Sequence, residues 1–198
     1  MFKLNYKLIN FLATISNINN LSFNYGSEIA ILGYSNVGKS TLINILANKK
    51  ISRTSKKVGC TKFINIFEVI SGKRIIDFPG YGYTNFSKKD EKKTKKMLYD
   101  YIVSRVFLKG VLLLIDIRFL LKDIDREILN KLMLRKVSIT IVLTKSDKVS
   151  SAKKNVQYEC LKKEISMISD KISIIIFSSK IKIGMKKLIN TINKNLSQ

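Results

Sequence analysis

The run Gly33-Tyr34-Ser35-Asn36-Val37-Gly38-Lys39-Ser40 sets two glycines, a lysine and a hydroxyl at a spacing suited to phosphate. The glycines let backbone N–H groups turn inward around phosphate oxygens, Lys39 neutralises charge, and the Ser40 hydroxyl can reach Mg²⁺. By itself such a loop serves ATP as well as GTP, and a kinase as well as a switch. The tetrad Thr144-Lys145-Ser146-Asp147 addresses the base. A carboxylate at Asp147 can accept together from guanine N1–H and the exocyclic amine, whereas adenine presents an acceptor at N1 and would leave the charge unpaired. The stem of Lys145 can lie along the base.

Three further groups fit the same ligand. In Asp77-Phe78-Pro79-Gly80 the aspartate can hold a Mg²⁺-bound water and the Gly80 N–H can sense a γ-phosphate. Thr61, between the first helix and the next strand, is placed to offer Mg²⁺ a second hydroxyl when a triphosphate is bound. Phe177-Ser178-Ser179-Lys180 could back the guanine ring with main-chain N–H groups. Each short motif alone reads as an ordinary polar loop. Their order, each at the end of an expected strand, carries the inference to a guanine nucleotide.

The rest of the composition narrows the chemistry. Histidine is absent from the 198 residues, which removes Ser-His-Asp triads, His-ligated zinc and imidazole bases. The two cysteines, Cys60 and Cys160, form no Cys-x-x-Cys pair or disulfide framework and fit a reducing compartment. Lys+Arg total 37 against 14 Asp+Glu, a formal net charge of +23, which points to a polyanionic partner. Drift toward Lys, Ile and Asn is the competing explanation; it accounts for Lys over Arg but not for the shortage of acids. No signal peptide is read in residues 1–16, and the apolar run Val111 to Ile115 is far too short to span a membrane, so the expected location is cytoplasmic.

These residues need elements to hold them. Ile29 to Leu32 reads as a strand and Lys39 to Ala47 as a helix, with the phosphate loop between. Ile64 to Ile70 and Arg74 to Phe78 read as a hairpin across Ser71-Gly72-Lys73. Val111 to Ile115, Val137 to Leu143 and Ile172 to Phe177 read as buried strands, followed by helices near Asp123 to Leu134, Ser151 to Ile168 and Gly184 to Leu196. Alternation at this spacing predicts an α/β fold, a mostly parallel sheet of six or more strands with helices on both faces and one antiparallel edge hairpin. Residues 26–198 form one nucleotide-binding domain in this reading. Residues 1–25 are an extension that adds a strand or packs on the core. Arg53 to Lys62 and Tyr81 to Lys89 read as mobile loops.

Taken together, Gly33 to Ser40, Asp77-Phe78-Pro79-Gly80-Tyr81-Gly82, Asp116-Ile117-Arg118 with Leu121-Lys122-Asp123, and Thr144 to Lys148 resemble the EngB family of bacterial P-loop GTPases over nearly the whole chain. The resemblance implies GTP and GDP as ligands, Mg²⁺ held by Ser40, Thr61 and, through water, Asp77, and a switch acting in assembly of the large ribosomal subunit with a link to cell division and septation. It makes rRNA the expected polyanion and a monomer the expected state. It also implies that Gly59, Cys60, Thr61, Lys62 and Phe63 contact the nucleotide, and that Lys39, Thr61, Gly80 and Asn36 contribute to hydrolysis. Two departures stand out: Tyr34 where the family has Arg, and Val58-Gly59-Cys60-Thr61 where it has Pro-Gly-Arg-Thr.

Tyr81 occupies the place where many GTPases carry the glutamine that orients the attacking water, which predicts slow intrinsic hydrolysis stimulated by a partner. Asn36 resembles an asparagine that helps hold K⁺ in related GTPases. The stretch Lys88 to Lys96 follows the second switch and is either a contact for the polyanion or a solvated helix face. A GTP-dependent interaction module for division proteins, without a ribosomal role, is the alternative function.

Overall fold

The computed structural model describes residues 4–52, 63–82 and 87–198. Seven strands, β1 (Asn10–Ile15), β2 (Ser27–Gly33), β3 (Ile64–Ile70), β4 (Lys73–Asp77), β5 (Leu108–Asp116), β6 (Ser138–Thr144) and β7 (Ser173–Ile176), form one sheet in the order β1-β3-β4-β2-β5-β6-β7. From β4 across to β7 all neighbours are parallel; β1–β3 and β3–β4 are antiparallel. The five helices are α1 (Lys39–Ala47), α2 (Lys88–Ser104), α3 (Asp123–Met133), α4 (Ser151–Ser166) and α5 (Met185–Leu196).

Strand periodicity sorts the core into two layers. In β2, Ala30 and Leu32 face α2, α3 and α4 through Leu98, Tyr101, Ile128, Leu129 and Leu161. Ile29 and Ile31 face α1 and α5 through Leu42, Ile43, Leu188 and Ile192. Successive side chains of a strand point to opposite faces, so a continuous apolar run is what a sheet covered on both sides requires.

The expected hairpin forms, but its loop is the two-residue turn Ser71–Gly72, Lys73 already belonging to β4. The hairpin lies at the antiparallel edge of the sheet, with one more strand outside it. The extension supplies β1, which pairs with β3 from Asn10↔Glu68 to Ile15↔Ile64, and the Tyr6 hydroxyl donates to Asn193 Oδ1 of α5 at 2.6 Å. The extension therefore does both things open to it. Edge closure explains the placement, because an uncovered β3 would leave a row of unpaired backbone groups.

The stretch from Tyr81 to Lys89 is not a loop throughout. Tyr81 is 5% exposed, and Lys88 and Lys89 open α2, whose N-cap Ser87 accepts from the Asp90 N–H at 3.1 Å. Residues 83–86 lie outside the described residues, as does the whole of the other expected loop, Arg53 to Lys62. Of α2 the sequence offers only a helix face over Lys88 to Lys96, as one of two readings, because the lysines mask the helical spacing of Met97, Leu98, Tyr101 and Ile102, all buried. At the sheet end remote from the phosphate loop, the fully buried Glu28 carboxylate is satisfied by Arg105 and by the Tyr101 hydroxyl at 2.9 Å, which fixes α2 against β2.

Candidate functional site

The phosphate loop leaves β2 at Gly33 and enters α1 through Gly38, both at positive φ (145° and 109°). A Cβ at Gly33 would fall 2.5 Å from the Leu114 carbonyl oxygen, so glycine is demanded there by space as well as torsion. Asn36, at φ 60°, is exposed at the tip, a left-handed position that asparagine tolerates. Ser40 lies half-buried in the first turn of α1. Lys39 is buried, its ammonium donating to the carbonyls of Gly33 at 2.9 Å and Tyr34 at 3.0 Å. Burial pushes it down to about 8, with Asp77 opposing.

Asp77 ends β4 beside this lysine. Burial raises its carboxyl to about 6, countered by Lys39 and by a hydrogen bond from Asn65. Its Oδ1 is buried without a hydrogen-bond partner among the described residues. An acceptor so placed is what a metal-bound water would satisfy. Phe78 and Pro79 are buried behind it. Gly80 then passes so close to the phosphate loop that a Cβ would lie 2.8 Å from Lys39 Nζ and 2.8 Å from Ser35 Cα. The chain thus brings Lys39, Ser35 and the backbone of Gly80 together, as γ-phosphate recognition needs.

The base-reading tetrad is tied into the same crevice. The Thr144 hydroxyl lies 2.9 Å from the Val37 carbonyl oxygen and 3.2 Å from that of Ile115, so one donor links the tetrad to the phosphate loop. Lys145, in the left-handed region at φ 59°, extends its ammonium to Asp116 at 3.0 Å. Burial alone would raise Asp116, but the Arg118 guanidinium, the Arg118 N–H and Lys145 outweigh it and hold the carboxyl down at about 2. A cavity of about 230 Å³ opens between Asn36, Val37, Asp116 and Lys145. Asp147 stands half-buried, with Oδ1 accepting from the Ser178 hydroxyl at 2.7 Å, a bond that lowers its carboxyl below the ordinary range.

Phe177 and Ser178 do not offer the main-chain donors expected of them. The Phe177 N–H goes to Leu143 O at 2.8 Å and that of Ser178 to Ile183 O at 3.2 Å. Their part is to hold the tetrad: Phe177 O accepts from the Ser146 N–H at 3.2 Å, and the Ser178 hydroxyl orients Asp147. Ser179 is exposed next to them. Gly59, Cys60, Thr61 and Lys62 lie outside the described residues, while Phe63 is 45% exposed immediately before β3.

Two residues with a place in this site were not assigned one from the sequence. Asp116 was noticed only as part of a motif, yet it fixes Lys145. Asp125, 2% exposed, accepts the Tyr81 hydroxyl at 2.6 Å and the Lys122 N–H at 2.9 Å. The available signal for Asp125 was an acidic residue three positions after a helix's N-cap.

Comparison with known proteins agrees with this geometry. Residues 28–145 match the family model described as 50S ribosome-binding GTPase. The chain is 42% identical over 196 residues to a probable GTP-binding protein EngB of Buchnera aphidicola subsp. Acyrthosiphon pisum, covering 98% of this chain and 96% of that one. To the protein of the same description from Salmonella paratyphi B it is 36% identical over 189 residues, 95% of this chain and 90% of the other. Among solved structures, a probable GTP-binding protein EngB superposes with a TM-score of 0.65 at 22% identity, over 86% of this chain and 99% of that one. Era in complex with MgGDPNP and a 16S ribosomal RNA segment superposes with a TM-score of 0.64 at 27% identity, over 87% and 57%.

Proposed function

The chain belongs to the EngB family of GTP-binding proteins and is a GTPase, and from that premise we propose that it is a slow switch acting in assembly of the large ribosomal subunit, in the cytoplasm and as a monomer. The observation that carries the ribosomal reading is the position of α2. This helix follows closely on Gly82 and exposes Lys88, Lys89, Lys92, Lys93 and Lys96. Beside it a groove of about 710 Å³ is lined by Lys92, Lys95, Lys96, Tyr99 and Lys131. An RNA backbone lying there would be within reach of the segment that reads the nucleotide.

In this reading Asp147 accepts from guanine, Lys145 lies along the base, and the phosphates lie between the N–H groups of Tyr34 to Ser40 and the backbone of Gly80. Lys39 exchanges its two carbonyl acceptors for phosphate oxygens. Ser40, Asp77 and Thr61 are the residues that would hold Mg²⁺, which when bound neutralises charge on the β- and γ-phosphates. The orphaned Oδ1 of Asp77 supports that assignment. Asn36, exposed at the loop tip, is the candidate contact for K⁺; equal hydrolysis rates in potassium and sodium would remove that role.

The test is co-sedimentation with large ribosomal subunits in the presence of GTP, a non-hydrolysable analogue or GDP. Binding should depend on the nucleotide. Absence of binding in every state would reject the ribosomal reading and favour an interaction module for division proteins.

A further inference from the structure

The residue following Gly80 has a conformation that neither the motif nor the family assigns a purpose. Tyr81 points away from the phosphates into the protein, and its hydroxyl donates to Asp125 Oδ1 at 2.6 Å. The other oxygen of Asp125 accepts from the Lys122 N–H at 2.9 Å, so the acceptor is fixed to the first turn of α3. The Tyr81 carbonyl accepts from both the N–H of Ser35 at 3.0 Å and its hydroxyl at 3.1 Å. The Tyr81 ring meets the Tyr34 ring edge-on at 4.8 Å, and the Lys122 ammonium lies 4.0 Å from the centre of the Tyr34 ring. At Gly82 a Cβ would fall 1.9 Å from that ring.

We infer that Asp125 is a positioning residue for GTP hydrolysis, acting through the Tyr81 hydroxyl to hold the Gly80 backbone against the phosphate loop.

Gly80 sits between two fixed points, Lys39 and Ser35 on one side and Tyr81 on the other, and a peptide N–H is aimed by the positions of its neighbours. A buried phenol bonded to a buried carboxylate is a short, charge-assisted link that tolerates little displacement. Burial first, then the charge and hydrogen bond of Asp125, push the phenol well above its ordinary value, so it remains a donor across the working range of pH. The same link explains why Tyr81 does not serve as a water-orienting group: its only hydroxyl is committed elsewhere.

This inference rests on the reading of Gly80 as the γ-phosphate contact, and the experiment separates the two. Single-turnover hydrolysis and the GTP:GDP affinity ratio are measured for the wild type, Tyr81→Phe, Asp125→Asn and Gly80→Ala. Tyr81→Phe keeps the ring packing and removes one atom. It should lower the single-turnover rate about tenfold and the GTP:GDP affinity ratio several-fold, with GDP affinity within twofold of the wild type. Asp125→Asn, which retains a neutral acceptor for the phenol, should lose less in both, and the double variant should lose no more than Tyr81→Phe alone. A rate and affinity ratio unchanged by Tyr81→Phe, while Gly80→Ala reduces both, would overturn the positioning role and leave the Gly80 assignment standing. If Gly80→Ala also leaves the ratio unchanged, both fail. GTP and GDP affinities falling in parallel in Tyr81→Phe would mean that the link only supports the fold, and would likewise overturn the inference.

Discussion

At the scale of single residues, the proposed base-reading site depends on carboxylates that are charged and held in place. Asp147 is oriented by Ser178 before any ligand arrives, so little ordering remains to be done on binding. In the proposed binding mode, replacing it with Ala removes two charge-assisted hydrogen bonds to guanine. Affinity for GTP and GDP should fall by about 2 kcal/mol or more, roughly 30-fold, with the discrimination against ATP reduced because the carboxylate that adenine would leave unpaired is gone; titration calorimetry measures this. Asp116 makes a different prediction. Its folded value of about 2 lies below the roughly 3.9 of an unfolded chain. The pairing with Arg118 and Lys145 therefore stabilises the fold above about pH 4 and loses that contribution as pH falls toward 2. With solvent screening of a half-exposed partner the effect is about 1 kcal/mol at neutral pH. The urea midpoint of Asp116→Asn should sit below the wild type at pH 7, and the gap should close between pH 5 and pH 2.

At the scale of elements, the site is an arrangement of strand ends. β2, β4 and β6 each deliver one motif at the carboxyl edge of the sheet, and a side-chain strut from Thr144 to Val37 couples two of them. The helices supply the clamping. In α2 the lysine-rich first turns bury no side chain, and the anchoring falls to Met97, Leu98, Tyr101 and Ile102. Leu98→Ala should therefore cost about 3 kcal/mol, the usual range for a buried leucine being roughly 2–5, read as a shift in denaturation midpoint. Because the link from Tyr81 runs to α3 and not to α2, GDP affinity of the folded variant should stay near that of the wild type.

At the scale of the whole molecule, charge is the dominant feature. A net +23 would attract any polyanion, so affinity alone says little about a specific surface. The α2 lysines differ among themselves: Lys95 is paired with Glu127 at 2.7 Å and Lys96 with Asp100 at 2.6 Å, whereas Lys92 and Lys93 have no ion pair among the described residues. The double variant Lys92→Ala/Lys93→Ala should weaken binding to large ribosomal subunits and reduce the slope of log affinity against log salt by about 2, while Lys96→Ala should change it less. A slope equal to the wild type would make these lysines a solvated helix face.

The sequence by itself determined the ligand class and the layered sheet. Gly33 to Ser40, Asp77 to Gly80 and Thr144 to Asp147 are contiguous, and contiguous motifs carry their own geometry in a strand followed by a loop. Continuous apolar strands likewise announce a sheet covered on both faces. Tertiary structure decided the rest, because it depends on contacts between residues distant along the chain. That β1 closes the sheet edge is set by pairing between residues about 50 to 60 apart along the chain, from Ile15↔Ile64 to Asn10↔Glu68. That Ser178 serves Asp147 through its side chain, and that Asp116 holds Lys145, follows from the ends of different strands meeting. Tyr81 shows the difference most directly: its position beside Gly80 was legible as the absence of a glutamine, but its direction was fixed only by Asp125, 44 residues away, in a buried site where an unpaired phenol or carboxylate would be costly.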